Sequence, residues 1–539
     1  MTALPDLRLS RWTALTALLT TSVLLTACGS SGDDSGSGGG RPKSGGTLTF
    51  AVGSDAGCVD PQQVASNDTI YSVRQTVDSL TDQDPKTGKI VPWLAKSWDI
   101  SSDATTFTFH LRSGVTFSDG SELTAQVVKD NFDAVPKLGA LGTLAEGYLS
   151  GVKSTTVVDP LTVEVTFQQP NAQFLQTTST HSLGIESSAS VQRTPQQKCS
   201  DGVIGSGPFV LKQYVQNQSV TLARRTGYDW GSSLWSKKGE AYLDKLVFKV
   251  VPEAGVRAGS LRSGQVDAIS SVGRADEAAL KGGQVALRSR ANPGVVFGLG
   301  FNNSRPVLKD ARVRQAILFA IDRQQIADTV FPTGTKAATS ILAHTTPDYT
   351  DLAADLPFAA ARAKSLLDQA GWKTGGDGIR TKGGKKLSLT IDWIPNAATN
   401  QPALELIQQQ LKAVGVDVVL KQLQLTRFAP TLQSGDFDAA WGNVTRADPD
   451  ILRSSFSTRL ANWYRIPAGP LDTRVAGQAA TTDTVQRGQL VDDTQKLIVQ
   501  NAYYAPVVEL QTQLGIAKKV HDLDFDASSR IRLHDTWIG

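Results

Sequence analysis

GDFDAAWGNVTRADPD, residues 435–450, changes character halfway along. Phe437, Ala439 and Trp441 alternate with Asp438, Ala440 and Gly442, the period of a half-buried β-strand. At Gly442 the apolar pattern stops. Asn443, Thr445 and Arg446 follow, then the turn-prone Asp448-Pro449-Asp450. A strand that leaves a core and ends in mixed polar groups beside a Trp is how α/β domains line a ligand crevice. An ordinary strand and loop share that local pattern, so the rest of the chain has to choose between the two.

Working outward, a strand over 387–393, a helix over 402–414 closed by Gly415, a strand over 416–420 and a helix over 427–433 lead into the stretch. This β-α-β-α-β order predicts a separate α/β lobe. A Gly-laced strand at 296–302 opens that lobe, and Asp310 and Asp322 cap helices over 310–320 and 323–331. A helix over 485–500 and an apolar strand over 505–510, predicted to return to a first lobe, close it. The first lobe begins with the alternating run at 47–52 and a helix over 67–79. It continues with a strand at 105–112, a helix over 121–133 and a hairpin at 157–167. Strands near 207–211, 219–223 and 245–250, a helix over 256–263 and a short strand at 266–269 complete it. The expected organisation is lobe one over 47–295, lobe two over 296–504 and a return to lobe one over 505–539. Crossovers near 296 and 505 would act as hinges.

A chain of 539 residues exceeds what one hydrophobic core supports. Apolar and charged fractions of 40% and 19% describe a globular protein, not a disordered or fibrous one. Formal net charge is +3, or +2 without the first 27 residues, which hold Arg8, Arg11 and Asp6. No run of Lys or Arg suggests nucleic acid. Residues 13–27, TALTALLTTSVLLTA, follow two arginines and are too short to span a bilayer well, which is the pattern of a secretory signal peptide over 1–27. Its end, Leu25-Thr26-Ala27-Cys28, resembles the lipobox of bacterial lipoproteins. That resemblance implies cleavage before Cys28 and a lipid on its sulfur; a plain signal peptide with an incidental Cys is the alternative. Residues 29–46 contain 13 Gly or Ser in 18, so 28–46 is expected to be a lipidated Cys and a flexible tether spanning about 25 Å. Cys58 and Cys199 are then left as an even pair in an exported, oxidising context. A disulfide between them is predicted, with two buried free thiols as the alternative.

Motifs in fixed order carry a family resemblance. They include Asp84-Pro85, Thr87-Gly88, Pro92-Trp93-Leu94-Ala95-Lys96-Ser97-Trp98, Phe107-Thr108-Phe109-His110-Leu111-Arg112 and Asp119-Gly120. Gly205-Ser206-Gly207-Pro208-Phe209, Ser263-Gly264-Gln265-Val266-Asp267, Val313-Arg314-Gln315-Ala316, Asp448-Pro449 and Ala505-Pro506 follow. The set resembles extracellular solute-binding protein family 5, the binding proteins of peptide/nickel-type ABC importers. The resemblance implies an α/β, bilobal periplasmic-binding-protein-like fold (class II type, large), with two lobes joined by hinge strands and an extra subdomain in lobe one at about 62–203. It further implies a monomer outside the cytoplasmic membrane, attached through a lipid anchor only. The implied partners are a small-molecule or peptide ligand and ABC permease subunits, with no nucleic acid and no cofactor.

Ligand contacts are expected from Trp441, Asn443, Thr445 and Arg446, from Trp393 at a neighbouring strand end, and from Asp60 and Ser270 after lobe-one strands. Either Trp suits a core equally well, and Arg446 suits a rim. In peptide-binding members an acid three residues before the Asp-Pro pair captures the peptide's α-ammonium; Thr445 stands there and supplies no charge. Where dipeptide binders carry arginines for a carboxylate, this chain has Ala398, Thr399 and Asn400. The missing handles point to a capped, modified or non-peptide solute. Catalysis finds little support: the five histidines show no HExxH, and no GxSxG or Walker A sequence occurs. Met1 is the only methionine, so no soft metal site is expected. A lipid-anchored hydrolase with paired carboxylates, and a ligand sensor on the same scaffold, are the alternative functions.

Overall fold

The alternating run Thr47–Val52 forms the middle of a seven-stranded sheet. Across that sheet the order is Val285–Ala291, Gln511–Ala517, Ala268–Ile269, Thr47–Val52, Lys245–Val250, Ser219–Arg224, Phe209–Val215. Thr47–Val52 is parallel to both neighbours and every other pair is antiparallel. This computed structural model describes residues 41–539, the side chain of Leu425 apart. The expected signal peptide, Cys28 and most of the tether lie outside the described residues.

A second sheet has the order Asp417–Gln422, Ser388–Trp393, Ala439–Thr445, Gly294–Phe301, Tyr504–Val508. The first three strands are mutually parallel, as βαβ crossovers require. Gly294–Phe301 runs antiparallel to both its neighbours. Helices Ala311–Ala320, Arg323–Val330 and Asn400–Ala413 bury one face of this sheet around Leu299, Phe301, Ile391 and Trp441. Helices Ile451–Phe456, Pro470–Ala479 and Thr484–Gln500 pack around Tyr504 on the other. The carboxylate of Asp310 accepts from the Arg312 amide at 3.0 Å, and that of Asp322 from the Gln325 amide at 2.9 Å, so both predicted N-caps form.

The chain passes between the sheets at Asn292-Pro293 and at Glu509-Leu510. These crossings lie side by side: the Asn292 amide donates to the Leu510 carbonyl at 2.7 Å, and the Thr512 hydroxyl to Asn292 Oδ1 at 2.7 Å. The strand expected at 505–510 to return to lobe one is instead Tyr504–Val508, the edge of the second sheet, and the return begins at Gln511. An unbroken apolar run marks a strand buried on both faces but carries no information about which sheet takes it.

Lobe one carries an antiparallel four-stranded sheet, ordered Ala95–Ile100, Thr106–Leu111, Thr162–Phe167, Val152–Asp159. Helix Ala125–Ala134 packs on it, and Phe174 sits among the rings of Phe107, Phe109, Phe132 and Phe167 at 4.7–6.2 Å. The neck of this excursion is covalent. Cys58 and Cys199, 141 residues apart, form a disulfide with Cα atoms 4.1 Å apart. Closing so long a loop removes unfolded-state entropy worth about 5 kcal/mol in the chain-entropy account.

Candidate functional site

The opening strand runs three residues further than its apolar pattern, from Ala439 to Thr445. Pairing with Gly294–Phe301 carries it on: Ala439 faces Phe301, Trp441 faces Leu299, and Thr445 faces Gly294. Between these pairs lies a β-bulge, where Val296 and Phe297 together oppose Asn443. The Tyr504 hydroxyl lies 2.8 Å from the Val296 carbonyl and 2.6 Å from the Gly442 carbonyl, pinning the bulge from the adjacent strand. Burial, reinforced by Tyr464, raises the pKa of that phenol well above its usual range, so it stays a neutral donor.

Beyond the bulge the strand end meets lobe one. The Arg446 guanidinium lies over the Tyr148 ring at 4.9 Å and reaches Gln173 Oε1 at 3.5 Å. Gln83 donates to the Ala447 carbonyl at 3.1 Å, and the Ala172 amide to the Ala479 carbonyl at 2.9 Å. Tyr148, Gln173 and Gln83 are buried and uncharged, so Arg446 meets neutral groups across the junction. Among the described residues it has no carboxylate within salt-bridge distance. Asn443 and Thr445 are half-buried, and their side chains have no hydrogen-bond partner among the described residues.

The other expected contacts go elsewhere. Trp441 is 1% exposed, stacks on Phe297 at 5.3 Å and donates to Asn400 Oδ1 at 3.1 Å, so it is core. Trp393 is buried in the same cluster. Parallel pairing of their two strands places both on one face of the sheet, and helices cover that face. Asp60 is fully buried, 3.0 Å from Lys198 Nζ, which also lies 3.3 Å from Glu186 and 3.1 Å from Gln62 Oε1. It belongs to the disulfide-bonded neck and faces no cleft. Burial, then the Asp60 charge, raises the Glu186 pKa well above the carboxylate range. Burial opposes the charge on Lys198, but the two carboxylates hold its pKa up. Ser270 is buried, with its hydroxyl donating to Asp68 at 2.7 Å. Asp448 is held by Arg487 at 2.6 and 3.1 Å, and Asp450 by Arg453 at 2.7 and 2.8 Å, so the acidic turn is internally neutralised.

Sequence reasoning missed the opposite face of the strand. Ala440, Gly442 and Val444 point away from Trp441, and Phe428, Trp463 and Tyr464 pack around Ala440 there. A Cβ built on Gly442 meets only the tip of the Phe428 ring, at 4.0 Å; over its cross-strand partner Gly298 the Tyr504 ring packs instead. The indole N–H of Trp463 is buried without an acceptor. This is an open, aromatic-edged space at the carboxyl end of a parallel strand, where ligands of α/β sheets bind. A glycine at the point where the alternation stopped was the available signal. Among the described residues no group of three His, Cys, Asp or Glu is arranged to hold a metal ion.

Two lobes joined by paired crossing strands, with a polar strand end facing the other lobe, define a bilobal binding protein. Residues 89–460 match bacterial extracellular solute-binding proteins, family 5 Middle, and the chain belongs to that family. It is 26% identical over 506 residues to di/tripeptide-binding protein 1 of Pseudomonas aeruginosa, covering 87% of this chain and 90% of the relative. It is 25% identical over 434 residues to the nickel-binding periplasmic protein of Escherichia coli, covering 78% and 81%. To heme-binding protein A of Haemophilus influenzae it is 26% identical over 466 residues, covering 81% and 82%. The fold superimposes on NikA from Brucella suis in complex with Fe(III)-EDTA with a TM-score of 0.80 at 24% identity, over 92% of this chain and 100% of that one. The oligopeptide-binding protein AppA of Bacillus subtilis gives 0.74 at 21%, over 93% and 100%.

Proposed function

We propose that this chain is the solute-binding lipoprotein of an ABC importer. It is exported and held to the outer face of the cytoplasmic membrane through lipidated Cys28. As a monomer it delivers a small organic solute to the permease. The observation that carries the reading is the junction itself. Asn443, Thr445 and Arg446 have unspent polar capacity at the place where one lobe faces the other across a pair of crossing strands. Such crossings absorb the rotation of lobe closure.

The relatives are named for di- and tripeptides, nickel and heme, so relatedness supports import of a solute without choosing one. Thr445, where a peptide reader needs an acid, favours a solute without a free α-ammonium, because a charge-assisted bond is roughly twice as strong as a neutral one. The test is mass spectrometry of what co-purifies with the full chain, followed by thermal unfolding with the identified solute added. Saturable stabilisation without chemical change of the solute is expected. Turnover abolished by replacing a single carboxylate would replace this reading with a hydrolase.

A further inference from the structure

The strand face that carries Ala440, Gly442 and Val444 continues to Arg446, and its two ends differ in chemistry. At Gly442 the floor is bare backbone bounded by Phe428, with the unpartnered Trp463 indole N–H nearby. Four residues on, Arg446 stands over Tyr148 with a carboxamide as its nearest polar neighbour. An extended strand places these ends about 13 Å apart. We propose that the solute is a small organic anion with a flat apolar ring, the ring lying over Gly442 beside Phe428 and Trp463 and the carboxylate meeting Arg446. The proposal rests on the interlobe cleft being the binding site.

Charge and space both support this class. Arg446 is the only charged residue between Ala439 and Ala447, and the side chains facing it from lobe one, Tyr148 and Gln173, are neutral. An anion there gains a charge-assisted bond and stacks no like charge. Asp392 shares the Ala440 face, but Lys421 lies 3.7 Å from it and offsets its charge. Gly442, without a side chain and with only the tip of the Phe428 ring at contact distance, lets a ring approach the strand at van der Waals distance, a contact any side chain there would block.

The probe is N-benzoyl-Gly-Gly, compared with its C-terminal amide, with N-acetyl-Gly-Gly and with Phe-Gly-Gly carrying a free ammonium, by calorimetry on the full chain. N-benzoyl-Gly-Gly is expected to bind at least about 10-fold more tightly than any of the other three. Arg446→Gln is expected to erase the preference for acid over amide. Gly442→Leu is expected to erase the preference for benzoyl over acetyl, and Gly442→Ala to reduce it, in chains whose ligand-free unfolding stays cooperative; Gly442 has no positive φ, and a Cβ there meets only the tip of the Phe428 ring. Tighter binding of Phe-Gly-Gly, lost in Asp392→Asn, would overturn the proposal in favour of a cationic solute. A co-purified solute that binds Gly442→Leu and wild type equally would overturn the ligand class while leaving the cleft reading intact. Failure of every co-purified or added compound to stabilise the chain would instead remove the cleft reading on which the class depends.

Discussion

The neck of lobe one and the strand end of lobe two both carry clustered polar residues, and they are opposites in how those residues are spent. At the neck, Asp60, Glu186 and Lys198 are buried together within 3.3 Å and stapled by Cys58–Cys199. At the strand end, Asn443, Thr445 and Arg446 are half-buried and nearly unpartnered. A buried charge cluster is costly unless its members satisfy one another, and removing one member exposes that cost. Polar groups left short of partners at a junction are free to bind something else. Unspent bonding capacity, more than residue type, separates the site from the scaffold.

The sharpest way to break the contrast is to remove a neck partner. Lys198→Met leaves the buried Asp60, beside Glu186, without its counter-charge. It is expected to cost about 3–5 kcal/mol in chemical unfolding; a loss under 1 kcal/mol would mean that the carboxylates escape to water. Replacing both Cys58 and Cys199 by Ser is expected to cost about 2–5 kcal/mol and to leave solute affinity in the folded fraction unchanged. At the other region the pattern should invert. Arg446→Gln is expected to change stability by no more than about 0.5 kcal/mol and solute affinity by about 10-fold. An unfolding midpoint that dropped by several degrees would make Arg446 a structural clasp.

The smallest effect is a pH dependence. The raised pKa of Glu186 means that folding takes up a proton there. Its stabilising contribution is complete below the unfolded carboxylate value near 4.5 and is lost as pH rises toward the folded value. Glu186→Gln is therefore expected to flatten the decline of melting temperature above about pH 4.5. Arg446→Gln should leave that profile unaltered. A Glu186→Gln profile parallel to wild type would show the carboxylate already ionised in the folded chain.

Much of this architecture was legible locally. Thr47–Val52 and Lys245–Val250 follow from short-range pattern, and the N-caps at Asp310 and Asp322 from single residues in context. The site was legible in position but only partly in membership. A strand-end position suited Trp441 and Trp393 to the ligand or to the core alike, and the helices that bury their face of the second sheet, Ala311–Ala320, Arg323–Val330 and Asn400–Ala413, decided for the core. Asp60 and Ser270 looked available because their partners, Lys198 and Asp68, are remote in sequence.

Local pattern in the chain specifies the order and type of many elements, though not Val285–Ala291, Gln511–Ala517 or Pro470–Ala479, together with the family and the place where the opening strand turns from apolar to polar. Each of these depends on spacing within one turn or a few residues, or on motifs in order. Only the tertiary structure decided which polar groups are spent. It brought Lys198 to Asp60 across a neck closed by a 141-residue disulfide loop, and Tyr148 and Gln173 to Arg446 from the other lobe. It also set only the tip of the Phe428 ring against the side-chain position of Gly442. Satisfaction of a hydrogen bond or a charge is a property of three-dimensional neighbours, and chain order does not encode it locally.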